Sequence, residues 1–222
     1  LFPRRGSEFM ASLTITPPWS KWDGKDYKNL ANDRNSPSFS REQQEKYRWI
    51  EYHKWKFKAR TFTALSNGNK CFVLMTRVEF GLLGSYNKYK KSPFETFYMG
   101  GDGMSGYSSN YAQETIGLRG YDNGQLTQHG EGYAYDRMTL ELRYPLLLGN
   151  TTIYGLGFLE AGNAWTETSK FNPFDMKRSA GIGVRIFLPM VGMMGIDWAY
   201  GFDKVFGKKG GSQFHFILGQ EF

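Results

Sequence analysis

A short motif flanked by glycines contains the residue of this chain that is best suited to a defined charge interaction. Gly117, Leu118, Arg119, Gly120 and Tyr121 lie between two stretches in which apolar and polar residues alternate. Because glycine reaches backbone angles that other residues avoid, the motif predicts a sharp turn with Arg119 at its tip. A planar, permanently charged guanidinium binds carboxylates through paired hydrogen bonds. The motif therefore predicts a carboxylate partner for Arg119, and the alternative is an arginine on a surface loop.

Two later segments supply candidate carboxylates for this arginine. Glu141 lies in Leu-Glu-Leu, and Glu160 lies in Phe-Leu-Glu-Ala-Gly. Successive side chains of a strand point to opposite faces, so Glu141 is expected opposite the apolar face of its strand. The glycines around Glu160 blur the alternation there, and its face is left open by the pattern.

The sequence offers no constellation of residues that an enzyme or a metal site requires. His53, His129 and His215 are scattered without the spacing of metal ligands, and no nucleophile with a base, or phosphate-binding loop, is present. One cysteine, Cys71, excludes an internal disulfide. We therefore predict that the chain is not an enzyme, and we expect no metal and no cofactor.

The positive charge of the chain is spread along strand-like stretches. The formal net charge is +7 and aromatic residues make up 17% of the chain. In the clearest stretch Trp55, Phe57 and Ala59 alternate with a row of cations; the row is Lys54, Lys56, Lys58 and Arg60. Such a row faces bulk water in a soluble sandwich or a wet lumen in a barrel. Because the basic residues do not cluster on a helix, we predict that no nucleic acid is bound.

An apolar period of two predicts about eight strands. Their ranges are 8–16, 47–61, 71–81, 137–144, 152–165, 178–188, 194–202 and 213–222. Long connections of about 17–46, 82–135, 166–177 and 203–212 follow every other strand, and short turns join the rest. Hairpins with long loops at one rim and short turns at the other are typical of outer-membrane barrels. The sequence thus predicts an all-β, antiparallel transmembrane β-barrel, and no apolar run has the length of a membrane-spanning helix.

Four segments resemble the BamA family of outer-membrane protein assembly factors, over most of the chain. They are Phe-Pro-Arg-Arg-Gly-Ser at 2–7, Phe-Tyr-Met-Gly-Gly at 97–101, Leu-Arg-Gly-Tyr at 118–121 and Ser-Ala-Gly-Ile-Gly-Val-Arg at 179–185. The family barrel has sixteen strands behind periplasmic POTRA domains. The resemblance implies that residues 1–222 are the last eight strands, with the upstream strands and POTRA domains absent from this sequence.

The resemblance also implies a function and a set of site residues. It implies an insertase that folds other barrel proteins into the bacterial outer membrane, in which Arg119 reaches into the lumen and pairs with Glu141 and Glu160. It implies an assembly signal and a seam on the terminal strand, at Phe214, Phe216, Leu218, Gly219 and Phe222. Gln220 departs from the general signal pattern, in which many barrels have an apolar residue. The implied partners are nascent barrel proteins, assembly-complex lipoproteins, surface-exposed subunits and outer-membrane lipid.

Two other readings of the chain remain open from the sequence. One is a translocation or secretion pore of the same superfamily with the same Arg-Gly loop. The other is a passive porin-like barrel of eight strands, in which the loop is only a surface feature. The passive barrel predicts that the chain folds alone and that Arg119 is dispensable.

Overall fold

Eight long strands form the main sheet of the protein. The computed structural model describes residues 2–30, 34–68, 70–104, 113–127 and 131–219. The long strands are β1 (Gly6–Ile15), β2 (His53–Ala64), β3 (Val73–Gly84), β6 (Ala134–Leu147), β7 (Thr152–Trp165), β8 (Lys177–Leu188), β9 (Gly192–Gly201) and β12 (Ser212–Leu218). Each pairs antiparallel with the next in the order β1-β2-β3-β6-β7-β8-β9-β12. The prediction of an all-β antiparallel fold is confirmed.

The two edges of the sheet are the first and the last of these strands. Over the described residues, β1 pairs only with β2 and β12 only with β9. Short connections join β2 to β3, β6 to β7 and β8 to β9, whereas long ones join the remaining neighbours. Because the strands are antiparallel, the long connections share one end of the sheet. None of the helices in the described ranges has the length and apolarity to cross a membrane.

The two faces of the sheet differ in character, as β6 shows. Met138, Leu140 and Leu142 are 42%, 48% and 42% exposed. The residues between them, Thr139 and Glu141, are buried. This alternation follows from the pleat of a strand, and it gives the sheet an exposed apolar face and a covered polar face.

The long connections contain short elements. In the first, α1 (Trp19–Trp22) and α2 (Phe39–Lys46) lie between β1 and β2. In the second, β4 (Phe97–Met99) pairs parallel with β5 (Glu114–Ile116). The third holds a 3-10 helix at Thr168–Lys170, and in the fourth β10 (Lys204–Val205) pairs with β11 (Lys208–Lys209).

Several predicted boundaries are wrong, for local reasons. The second strand begins at His53 instead of residue 47, because the chain at Tyr47 closes the last turn of α2. β6 runs through Pro145 to Leu147, where the prediction had a turn; a register shift between Pro145 and Leu147 accommodates the proline, which cannot donate to the ladder. The loop predicted at 82–135 is shorter at both ends, since β3 reaches Gly84 and β6 begins at Ala134.

The connection between β3 and β6, residues 85–133, supplies much of the main core; we call it the inner loop. Its buried apolar residues pack with residues of β3, β6 and β10. The members of this cluster are Leu83, Phe97, Met99, Ile116, Leu118, Tyr121, Leu126, Tyr133, Tyr135 and Val205. A long loop that buries so much apolar surface has a defined position, in contrast to a solvated surface loop.

Candidate functional site

The turn at residues 117–121 is fixed by burial on both sides of Arg119. Leu118 and Tyr121 are fully buried in the main core, and Leu118 forms a bridge with Gly101. Gly120 has φ +90°, in the left-handed region, as the motif predicts. Gly117 differs from the expectation, because its φ is not positive and its backbone instead packs against Gly103. The turn therefore needs glycine for conformation at Gly120 and for close packing at Gly117.

The guanidinium of Arg119 lies among three carboxylates on the polar face of the sheet. Its Nη2 donates to Glu141 Oε1 at 2.8 Å and to Glu160 Oε1 at 2.7 Å, and its Nη1 donates to Asp197 Oδ2 at 2.8 Å. The backbone N–H of Arg119 donates to Glu160 Oε2 at 2.9 Å. These acids come from β6, β7 and β9. We call the four residues the arginine clamp.

Further side chains complete the charges around the arginine clamp. Arg143 Nε donates to Glu141 Oε2 at 2.9 Å, and Arg185 Nη2 donates to Asp197 Oδ2 at 2.7 Å. The guanidinium carbon of Arg119 is 3.5 Å from the ring centroid of Phe158, a cation–π contact. Buried charges are costly unless they are paired and hydrogen-bonded. The alternation of arginines and acids meets this condition and holds each carboxylate in place.

The residues after Arg119 connect the turn to the last strands. The N–H of Gly120 donates to Nε2 of His215 at 2.9 Å, so that ring nitrogen carries no proton. The hydroxyl of Tyr121 donates to the carbonyl of Arg178 at 2.7 Å. A Cβ on Gly120 would lie 2.7 Å from the backbone nitrogen of Gly201, so loop and strand backbones approach directly. The turn is thus bound to β8, β9 and β12.

Titratable groups at the end of the turn are also set by their surroundings. Burial raises the pKa of the Tyr121 hydroxyl from 10.0 to about 12, so the hydroxyl stays a donor to the carbonyl of Arg178 even in moderately alkaline solution. A hydrogen bond from Lys208 lowers the pKa of Asp122, whose other carboxylate oxygen accepts from Gln213 at 2.7 Å. These contacts add β11 to the set of elements that the turn contacts and give it a second contact with β12.

The structure brings together part of the residue set that the sequence indicated. Arg119, Glu141 and Glu160 meet, whereas the terminal-strand residues Phe214, Phe216 and Leu218 lie on the exposed apolar face, 68%, 59% and 65% exposed. The N–H of Gly219 donates to the carbonyl of Met193 at 2.9 Å. Phe222 and Gln220 lie outside the described residues. The function of this set stays a prediction.

Sequence reasoning missed Asp197 and His215. The alternation in β9 already placed Asp197 opposite Ile196 and Trp198, on the face that Glu141 shares. His215 was weighed only as a metal ligand, although it alternates with Phe214 and Phe216 in the same way. The alternation therefore indicated on which face of its strand each residue lies, but not which residue it contacts.

The arrangement can hold charge and position, because its carboxylates, arginines and backbone N–H groups are hydrogen-bonded to one another. Both Nη atoms and the backbone nitrogen of Arg119 donate to carboxylate oxygens, and Glu141 and Asp197 are also paired with Arg143 and Arg185. In the ranges that the structure describes, no three His, Cys, Asp or Glu side chains are grouped to bind a metal ion. These contacts attach the turn at residues 117–121 to the sheet.

Comparison with known proteins gives one family. The model of the Omp85 superfamily domain matches residues 7–222, nearly the whole chain. A search of curated proteins returns no match.

Proposed function

Because the chain belongs to the Omp85 superfamily, whose members are outer-membrane β-barrels, we propose that it forms the membrane part of a factor that folds and inserts other barrel proteins. Residues 1–222 would be the last eight strands of a barrel of sixteen, with the long connections on the extracellular side and POTRA domains in the periplasm. The proposed partners are nascent barrel proteins, assembly-complex lipoproteins and surface-exposed subunits.

The observation that carries this proposal is the attachment of one turn to the sheet up to its edge. Arg119 binds β6, β7 and β9, and Gly120 binds β12 through His215. A passive barrel has no need for a loop tip locked to its terminal strand. In an assembly factor, such a lock supports the terminal strand while its other edge exchanges partners.

The proposed mechanism uses the backbone of β12 as a template. Within the described chain, β12 pairs with β9 along one edge alone. A strand edge presents N–H and C=O groups that an incoming strand can pair with, and lipid makes unpaired groups costly. A client strand that pairs there is ordered before it enters the membrane. Phe214, Phe216, Leu218 and Gly219 would form the seam and the recognition signal of this strand, and no covalent step is required.

The test is a depletion and rescue assay with the full-length protein carrying Arg119→Ala. The variant would leave three buried acids without their shared cation, so we expect folded, heat-modifiable barrel proteins to be lost from the outer membrane across unrelated families. Arg48→Ala, at an exposed arginine of another loop, is the control. Normal levels of folded barrels with an intact variant would contradict the proposal. Loss of one exported protein, with normal barrels, would favour the pore.

A further inference from the structure

The inner loop also contacts the opposite part of the sheet, through a second set of ion pairs. Lys54 Nζ lies 2.9 Å from Glu114 Oε2 and 3.0 Å from Glu95 Oε2, and Lys56 Nζ lies 2.5 Å from Glu114 Oε1. The lysines are on β2, and both glutamates are on the inner loop. The ammonium of Lys54 also lies 4.8 Å from the ring centroid of Phe97, which belongs to β4. Here the sheet carries the cations and the loop carries the acids, whereas in the arginine clamp the loop carries the cation and the sheet carries the acids.

In the cation row of β2, it is Lys54 and Lys56, near the start of the strand, that pair with glutamates of the inner loop. Lys58 pairs with Glu79 of β3 at 3.2 Å, and Arg60 pairs with Glu8 of β1. Those two pairs join neighbouring strands, whereas Lys54 and Lys56 reach a segment that is distant in sequence. The row thus divides into cations that stabilise the sheet and cations that hold the loop.

The two attachments lie at the ends of one short, stiff segment. Glu114 precedes Arg119 by five residues. Between them, β5 is paired with β4, Ile116 and Leu118 are buried, and the carbonyl of Gly117 accepts from Arg137 Nη1 at 2.7 Å. In the sheet, β3, β6, β7 and β8 separate β2 from β9. A segment that is fixed at both ends to such distant strands acts as a brace across the polar face.

We propose that Lys54, Lys56 and Glu114 are positioning residues that hold the inner loop as a cross-brace, and that this end of the brace releases first when the loop moves. The role in assembly rests on the function proposed above, whereas the brace itself rests on the contacts. Lys54 is as buried as Arg119, with side chains 5% and 8% exposed, but Lys56 and Glu114 are 28% and 27% exposed, so the Lys56–Glu114 pair is the solvated contact of this end. A more solvated ion pair is less costly to separate, because water replaces the lost contact.

The test measures access to the loop directly, in the full-length protein in outer-membrane vesicles. Cys71→Ala with Thr115→Cys places the one thiol of residues 1–222 beside Glu114, any cysteine outside this range is replaced by alanine, and a membrane-impermeant maleimide reports the exposure of the remaining thiol. Adding Glu114→Gln should speed labelling about tenfold, as expected when a partly buried ion pair loses one partner. The matched control is Glu167→Gln, which removes a glutamate from an exposed pair with Lys170 in another loop and should leave the rate unchanged.

A charge swap decides whether the pair itself is responsible. Glu114→Lys alone should label fastest. Because Lys54 would repel the new lysine, the swap combines Glu114→Lys with Lys56→Glu and Lys54→Gln, and it should restore both slow labelling and client assembly. Equal labelling of Glu114→Gln and the unmodified loop, or a swap that restores neither, would overturn the brace. If Arg119→Ala supports normal assembly while Glu114→Gln still labels fast, the proposed function fails and the brace stands.

Discussion

The burial of the charged Arg119 side chain is costly, and hydrogen-bonded carboxylates offset that cost. Desolvation of the guanidinium opposes burial, and the three carboxylates of the arginine clamp offset it through bonds of 2.7 to 2.8 Å. Such a site contributes less net stability than its number of bonds suggests, but it becomes very unfavourable when one partner is removed. The arginine clamp therefore acts mainly by fixing the turn at residues 117–121 in one position.

This asymmetry gives a stability prediction for Arg119. Arg119→Ala should lower the free energy of unfolding by about 3–5 kcal/mol, because the three buried acids lose the cation that they share, and only Glu141 and Asp197 of the three keep an arginine partner, Arg143 and Arg185. Arg119→Lys should recover only part of the loss, since an ammonium lacks the planar fork of donors. Urea unfolding of the full-length protein in detergent measures both. Arg178→Ala, at an exposed pair with Asp203, should cost about 1 kcal/mol or less; equal effects at the two arginines would contradict this account.

Gly120 gives a second prediction at the residue scale. Gly120→Ala should destabilise the protein by about 1–3 kcal/mol, because φ is +90° and the new Cβ would meet backbone atoms of Gly201 and Tyr200 at 2.7 and 2.9 Å. Thermal unfolding checks the value. Gly211→Ala is the control, since a Cβ there meets no atom within 4 Å. A Gly120→Ala variant as stable as its control would show that the loop backbone shifts freely from β9.

The inner loop behaves as a structural element of the wall. It has its own strand pair, a buried apolar cluster, and charge contacts with β2, β6, β7 and β9. These contacts are complementary, with a loop cation at one end and loop acids at the other. In the brace proposed above, the ion pairs of Glu114 separate while the arginine clamp holds.

The pH dependence of the Glu114 contact tests this element. Burial alone would raise the pKa of Glu114, but hydrogen bonds from Lys56 and Lys54 outweigh burial and lower it from 4.5. A group with a lowered pKa in the folded state stabilises above its ordinary pKa, and the stabilisation disappears as pH falls through the lower value. The difference in unfolding free energy between the unmodified protein and Glu114→Gln should be constant above pH 4.5 and shrink below it. A difference that grows on acidification would contradict the ion pair.

At the scale of the whole molecule, the sheet separates two environments. Its apolar face is exposed along every long strand. From β3 to β9 its polar face carries buried, paired charges under the inner loop, whereas both faces of β1 are exposed. This is the inverse of a soluble protein, in which the apolar face is covered. It fits the outer-membrane barrels of the Omp85 superfamily, whose apolar side faces lipid.

The cost of placing a charge on the apolar face at two different depths in the membrane tests this orientation. Leu140 lies in the middle of β6, and Phe202 directly follows β9; they are 48% and 50% exposed. Leu140→Arg should cost about 2–4 kcal/mol of folding free energy in bilayers, and Phe202→Arg about 0–1 kcal/mol, because the arginine meets hydrocarbon only at the midplane. Folding titrations in lipid vesicles measure the difference. Equal costs at the two positions would contradict a membrane-spanning β6.

Much of the fold followed from local patterns. Alternation predicted the face of Glu141 and the apolar row on β6, because the pleat fixes side-chain direction residue by residue. Strand boundaries were harder to predict. The second strand begins at His53 instead of residue 47, where Tyr47 closes the last turn of α2, and Pro145 was taken as a turn although a register shift keeps it in β6. In both places neighbouring structure outweighed local preference.

From the sequence alone, local patterns predicted strands in which apolar and polar residues alternate, and a glycine-flanked arginine that needs carboxylate partners. The tertiary structure decided which carboxylates, and it added Asp197, His215 and the contact between Lys54 and Glu114. Gly120 and His215 are 95 residues apart, and Arg119 and Asp197 are 78 apart. Alternation is a property of neighbouring residues, whereas these meetings depend on how the inner loop folds back over the sheet and how the strands are staggered. A buried charge accepts only partners that those two features bring within hydrogen-bond distance.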